Sequence, residues 1–129
     1  MRILFDTHLL LWAAGAPQRL PKAAKSLLRD PATSPVFSAA SIWEIVIKCG
    51  LGRSDFTVDP QRLRQGLLTH GYEELPVTGE HALALRAVPP LHKDPFDRIL
   101  FAQAGSEGLT LLTADRELAA YGPPSKLVG

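Results

Sequence analysis

His92–Ala104 reads HKDPFDRILFAQA, and it begins in charge and turns at once into a helix. Asp94 stands where an N-cap belongs, and Pro95 follows at the first helical position, where its missing N–H costs nothing. Asp97 falls at the third helical position, inside the positive end of the helix dipole. Ile99, Leu100, Phe101 and Ala104 supply a buried stripe. Asp94 reads as a cap before it reads as a ligand, and an acid in a first helical turn is ordinary. The rest of the chain decides whether these two carboxylates mean more.

Downstream, this helix runs to about Glu107 and Gly108 ends it. Leu109–Thr113 is a strand, Arg116–Tyr121 a short helix, and Lys126–Val128 a last edge strand. Upstream, Thr78 or Gly79 caps a helix through Ala87, which Pro89-Pro90 breaks. Glu73–Val77 is a strand before it, and Asp59-Pro60 opens a helix lasting to His70-Gly71. Nearer the start, Ile3–Phe5 and Pro35–Ser38 are short apolar strands. Helices follow them over His8–Ala14, Pro21–Arg29 and Ser41–Cys49. Ile42, Ile45, Val46 and Cys49 share one side of the last of these, which makes Cys49 buried filler. Short apolar strands alternating with amphipathic helices predict a parallel sheet covered on both faces, with right-handed crossovers.

The chain has 129 residues, enough for one domain, 1–129, with a real core. Its hydrophobic share of 46% and charged share of 21% are those of a globular protein. A formal net charge of +1 demands neither nucleic acid nor membrane as partner and leaves room for a local basic groove. The single cysteine excludes an internal disulfide and fits a reducing cytoplasm. Asp6 and His8 interrupt the N-terminal apolar run, so a strand and helix explain it better than a signal peptide. No apolar stretch is long enough to span a bilayer.

Ligands of an open α/β sheet bind outside the carboxyl ends of its strands. Asp6 ends the first strand. Glu44 falls early in the helix after the second, Asp115 just after Leu109–Thr113, and Asp97 at the helix start described above. Each has a local explanation: Asp6 as a cap, Glu44 as the far end of a capping box from Ser41 and partner of Lys48, Asp115 as a cap or turn residue. Independent caps, however, have no reason to gather at one edge. Two carboxylates about 4 Å apart repel by ~4 kcal/mol at an effective dielectric of 20, so a cluster of them needs protons or a cation. Oxygen-only ligands suit Mg²⁺ or Mn²⁺, metals that work on phosphates by activating water and stabilising the leaving oxygen.

His8, His70, His81 and His92 show no metal-ligand spacing among themselves. His8 and His92 neighbour the acids, within reach of a proton or of substrate, although helix-start and surface roles also account for them. Trp12 and Trp43 occupy helical apolar positions, which predicts core over base stacking. Lys48, Arg53, Lys93 and Arg98 flank the acids as a possible phosphate rim, each taken singly being ordinary surface charge. There is no GxxxxGK[ST] phosphate loop and no G-x-S-x-G elbow.

Four stretches together, ILFDTHLLLW, SAASIWEIVIK, HKDPFDRILFAQA and LTLLTADREL, resemble the PIN-domain proteins, and more narrowly the VapC-type ribonuclease toxins of bacterial toxin–antitoxin pairs. The resemblance runs nearly end to end. It implies a three-layer α/β/α sandwich on a central parallel sheet and Mg²⁺- or Mn²⁺-dependent cleavage of RNA. The family's acidic set maps onto Asp6, Glu44, Asp97 and Asp115, as catalytic residues and metal ligands, with Asp94 an additional acid of this branch. It also implies a homodimer and a cognate protein antitoxin as partner. Two other classes bear on the same residues. A phospho-receiver would want adjacent acids after the first strand, where Asp6 is followed instead by Thr7. A PIN-like interaction module would bind RNA or a protein partner without cutting.

Overall fold

The computed structural model describes residues 1–90 and 93–129, so the expectation for His92 lies outside the described residues. Five strands form one sheet in the order β3-β2-β1-β4-β5, and every pairing is parallel. They are β1 (Arg2–Phe5), β2 (Ser34–Ser38), β3 (Glu73–Leu75), β4 (Thr110–Thr113) and β5 (Ser125–Leu127). The helices are α1 (Thr7–Gly15), α2 (Lys22–Arg29), α3 (Ala39–Gly50), α4 (Pro60–Thr69), α5 (Gly79–Ala84), α6 (Pro95–Glu107) and α7 (Arg116–Ala119).

Alternation along the strands makes the three layers. Ile3, Phe5, Phe37 and Leu112 point to one face, against Leu9 and Leu10 of α1, Ala24 of α2, Ile45 of α3 and Leu63 and Leu67 of α4. Leu4, Val36 and Leu111 point to the other, against Leu100 and Ala104 of α6 and Leu118 of α7. The central strands are therefore apolar on both sides, the requirement for a parallel sheet buried between helices.

The helix at HKDPFDRILFAQA forms as its sequence dictates. Asp94 Oδ1 accepts from the amides of Phe96 and Asp97, Pro95 opens the helix, and Gly108 closes it at φ 68°. That left-handed conformation is cheap only for glycine. The 310 turn at Leu85–Ala87 shortens the preceding helix to α5.

Two local expectations change. The cap of α3 is Ser38, whose Oγ accepts from the Ala40 amide, so Ser41 lies inside the helix and the Ser41–Glu44 capping box does not form. The helix starts earlier because Ser38, at the end of β2, already has the extended backbone a cap needs. Trp43 is not core: it is 62% exposed and meets the Phe96 ring edge to face at 5.2 Å. The inward face of α3 runs through Ala40, Ser41, Glu44 and Ile45 instead, and Val46, Ile47 and Leu51 are exposed with Trp43. Trp12 is half-buried against the core, and so is Cys49, whose Sγ donates to the Val58 carbonyl at 3.4 Å. Among the described residues no helix is long and apolar enough to cross a membrane.

Candidate active site

The strand order reverses at β1, whose neighbours are β2 and β4. The crevice outside the carboxyl ends of β1 and β4 is thus the topological switch point, where such sheets bind ligands. Asp6 follows β1 and Asp115 follows β4, and the two line one cavity of about 240 Å³ with His8, Trp12 and Ala114. A larger cavity, about 1000 Å³, lies elsewhere, between α1, α2 and α4, and none of the four predicted acids lines it.

Asp6 is both cap and candidate ligand. Its Oδ1 accepts from the Leu9 amide at 2.9 Å, capping α1, and its Oδ2 accepts from the Thr113 hydroxyl. Thr113 Oγ1 in turn accepts from the Asp115 amide at 2.9 Å, so one buried hydroxyl joins the two acid-bearing loops. Asp6 is 4% exposed and forms no ion pair among the described residues. Burial pushes its carboxyl above the ordinary 3.8; the Thr113 and Leu9 hydrogen bonds and His8 oppose the rise, while the charge of Asp115 adds to it. Asp115 Oδ1 accepts from the Glu117 amide and caps α7.

Glu44 lies on the other side of Asp6. It is 2% exposed. Thr7, the residue after Asp6, donates its hydroxyl to Glu44 Oε1 at 2.6 Å and pairs with Ser41 Oγ at 3.0 Å. Lys48 donates to Glu44 Oε2 at 2.5 Å and stands 3.7 Å from Asp94 Oδ2. Burial works against the Lys48 ammonium, but the Glu44 hydrogen bond and the charges of Glu44 and Asp94 outweigh it and hold its pKa above 10.5. Lys48 is thus no solvated surface charge. Arg98 is part-buried and donates to the Val88 carbonyl, while Arg53 pairs with Asp55 on the surface.

Asp97 occupies the first turn of α6, with its amide on Asp94 Oδ1. The acids therefore fall into a linked series. Thr113 ties Asp115 to Asp6, Thr7 ties the residue beside Asp6 to Glu44, and Lys48 ties Glu44 to Asp94 at the start of α6. Among the described residues, no three His, Cys, Asp or Glu side chains stand together as a metal-holding group. The donor chemistry, carboxylates with one deeply buried and paired with no cation among the described residues, suits a hard divalent ion.

Sequence reading missed the hydroxyls Thr7, Thr113, Ser38 and Ser41, all buried. Their signal was polar residues at strand ends and inside an otherwise apolar helix face, where burial demands a partner. It also missed His81, fully buried, which accepts from the Thr78 amide through Nδ1 and pairs with Glu107 through Nε2 at 2.9 Å. Gln103 accepts from Ser38 Oγ at 2.6 Å, fastening α6 to the junction of β2 and α3.

Fold and site together define a three-layer α/β domain with acids following the strands at its switch point. The chain belongs to the PIN domain family, which it matches over residues 3–122. It is similar to "Ribonuclease VapC22" of Mycobacterium tuberculosis, at 28% identity over 123 residues that cover 95% of this chain and 93% of that protein. Among solved structures it is similar in fold to VapBC2 from Rickettsia felis bound to a promoter DNA fragment, with a TM-score of 0.72, 13% identity and full coverage of both chains. A toxin–antitoxin complex from Klebsiella pneumoniae is also similar, with a TM-score of 0.66, 22% identity and coverage of 96% and 95%.

Proposed function

We propose that this protein is a divalent-metal-dependent endoribonuclease acting as the toxin of a toxin–antitoxin pair. The observation that carries the reading is Asp6: a buried carboxylate at the switch point, facing a cavity with Asp115 and paired with no cation among the described residues. Family membership and the naming of the M. tuberculosis relative as a ribonuclease support it. The similar folds in toxin–antitoxin complexes support a protein antitoxin as partner.

Asp6, Glu44, Asp97 and Asp115 are the acids that serve the reaction. A bound Mg²⁺ or Mn²⁺ would supply a polarised phosphoryl oxygen and an activated water. Thr113 and the Leu9 amide hold the Asp6 carboxylate in place, and Thr7 holds that of Glu44. The N-termini of α1 and α6 stand beside Asp6 and Asp97, and their positive ends favour a polyanion. The exposed apolar residues of α3, Trp43, Val46 and Ile47, support an interface, consistent with a homodimer. A cytoplasmic location completes the reading.

The test is cleavage of single-stranded or looped RNA by the purified protein with Mn²⁺ and with EDTA. Chelation should abolish cleavage, and Asp6→Asn should lower it by more than about 100-fold while the protein stays folded. Cleavage that persists in EDTA with contaminating nuclease excluded, or full activity in Asp6→Asn, would reject the mechanism. Divalent-metal binding without any cleavage would favour a silent interaction module.

A further inference from the structure

Glu44 already holds a cation. Lys48 Nζ lies 2.5 Å from Glu44 Oε2 and 3.7 Å from Asp94 Oδ2. The same ammonium is 5.2 Å from the centre of the Phe56 ring and 5.9 Å from that of Phe96. It reaches from α3 to the start of α6, between two carboxylates and beside two aromatic faces that also attract a cation. An ordinary i,i+4 pair stays open to water on a helix surface. Here the side chains of Lys48 and Glu44 are 16% and 3% exposed.

We propose that Lys48 is the built-in cation of this edge, taking the place of a second divalent ion at Glu44, so that the domain binds one Mg²⁺ or Mn²⁺ on the Asp6–Asp115 side. The proposal rests on the metal-dependent reading above and specifies it as one ion plus a lysine. A hard divalent ion needs several oxygen ligands at close range. Glu44 gives one oxygen to Thr7 and the other to Lys48. Each oxygen keeps a second lone pair, but the Lys48 ammonium held against Glu44 repels an incoming cation. Asp6 also accepts a hydrogen bond at each oxygen, but its partners are a hydroxyl and an amide, neither of them charged. A fixed ammonium also supplies positive charge near a phosphate without needing a coordination shell.

Calorimetric titration of Mn²⁺ into the metal-free full chain, with melting curves as a second readout, tests this. Wild type should bind about one ion per chain, and Lys48→Met should show a further binding event at Glu44. Glu44→Gln should keep the affinity for the single ion within about threefold and keep the Mn²⁺-induced rise in Tm. Two ions in wild type, loss of binding in Glu44→Gln, or a Lys48→Met titration identical to wild type would each overturn the proposal. No Mn²⁺ binding in wild type would overturn the metal reading along with it, a result distinct from one-ion binding in all three proteins. Should Lys48→Met fail to fold, Glu44→Gln decides the matter alone.

Discussion

Two halves of one sheet edge handle the same physical problem differently. On the β1–β4 side, the Asp6 carboxylate is buried beside Asp115 and is held by the Thr113 hydroxyl and the Leu9 amide. On the α3–α6 side, the Glu44 carboxylate is buried too but is neutralised by Lys48. Burying a charge without a counter-charge raises its free energy, and hydrogen bonds from neutral donors offset only part of that. Among the described residues the Asp6 carboxylate therefore lacks a counter-charge, and that of Glu44 has one. The contrast teaches that two buried acids at one edge need not share one electrostatic environment.

The largest expected effect comes from breaking the Glu44–Lys48 pair. Lys48→Met leaves Glu44 buried without its partner and should destabilise the metal-free protein by about 3–5 kcal/mol. Lys48→Met combined with Glu44→Gln removes both charges and should recover most of that loss. Urea unfolding in EDTA measures both. Equal stability for the single variant and wild type would mean that Glu44 finds water, and the two halves would not differ as described.

A smaller effect compares the hydroxyls. Thr113→Val strips Asp6 of its side-chain donor and the Asp115 amide of its acceptor, and should cost about 1.5–3 kcal/mol because a charged group is involved. Thr7→Val removes one donor from a carboxylate that keeps its lysine, and should cost about 0.5–1.5 kcal/mol. The same unfolding assay ranks them. The reverse order would place the unmet charge on Glu44 rather than Asp6.

The smallest effect is in pH dependence. The folded-state pKa of Asp6 is raised above 3.8 by burial, so its charged form is disfavoured in the fold. That penalty is present above the folded pKa and is relieved as pH falls through it toward 3.8. Metal-free wild type should therefore gain stability relative to Asp6→Asn as pH is lowered from neutral toward 4. Other acids titrate in both proteins, so the difference between the two curves carries the signal. Glu74, held below its ordinary value by its hydrogen bond to Arg64, pulls the opposite way in each and cancels. A wild-type curve that falls relative to the variant would show Asp6 to be stabilised as the anion.

Local chemistry wrote much of this molecule legibly. The sequence by itself determined α6, because Asp94, Pro95 and Gly108 each act within a turn of where they stand. It determined the parallel sheet, because strands this short and apolar survive only when covered on both faces. It also placed Asp6 and Asp115 at strand ends, and those two do share a cavity. Only the tertiary structure decided how the carboxylates differ. Cap and candidate ligand proved compatible at Asp6 because a carboxylate has two oxygens, and one suffices for the helix. The start of α3 moved to Ser38 because the backbone leaving β2 already met the requirements of a cap. Packing set which face of α3 looks inward, burying Glu44 and exposing Trp43. The reach of Lys48 to Asp94 spans residues far apart in the chain, and no local pattern specifies the distance between two helices. Packing sets that distance, and with it which acid keeps a lysine.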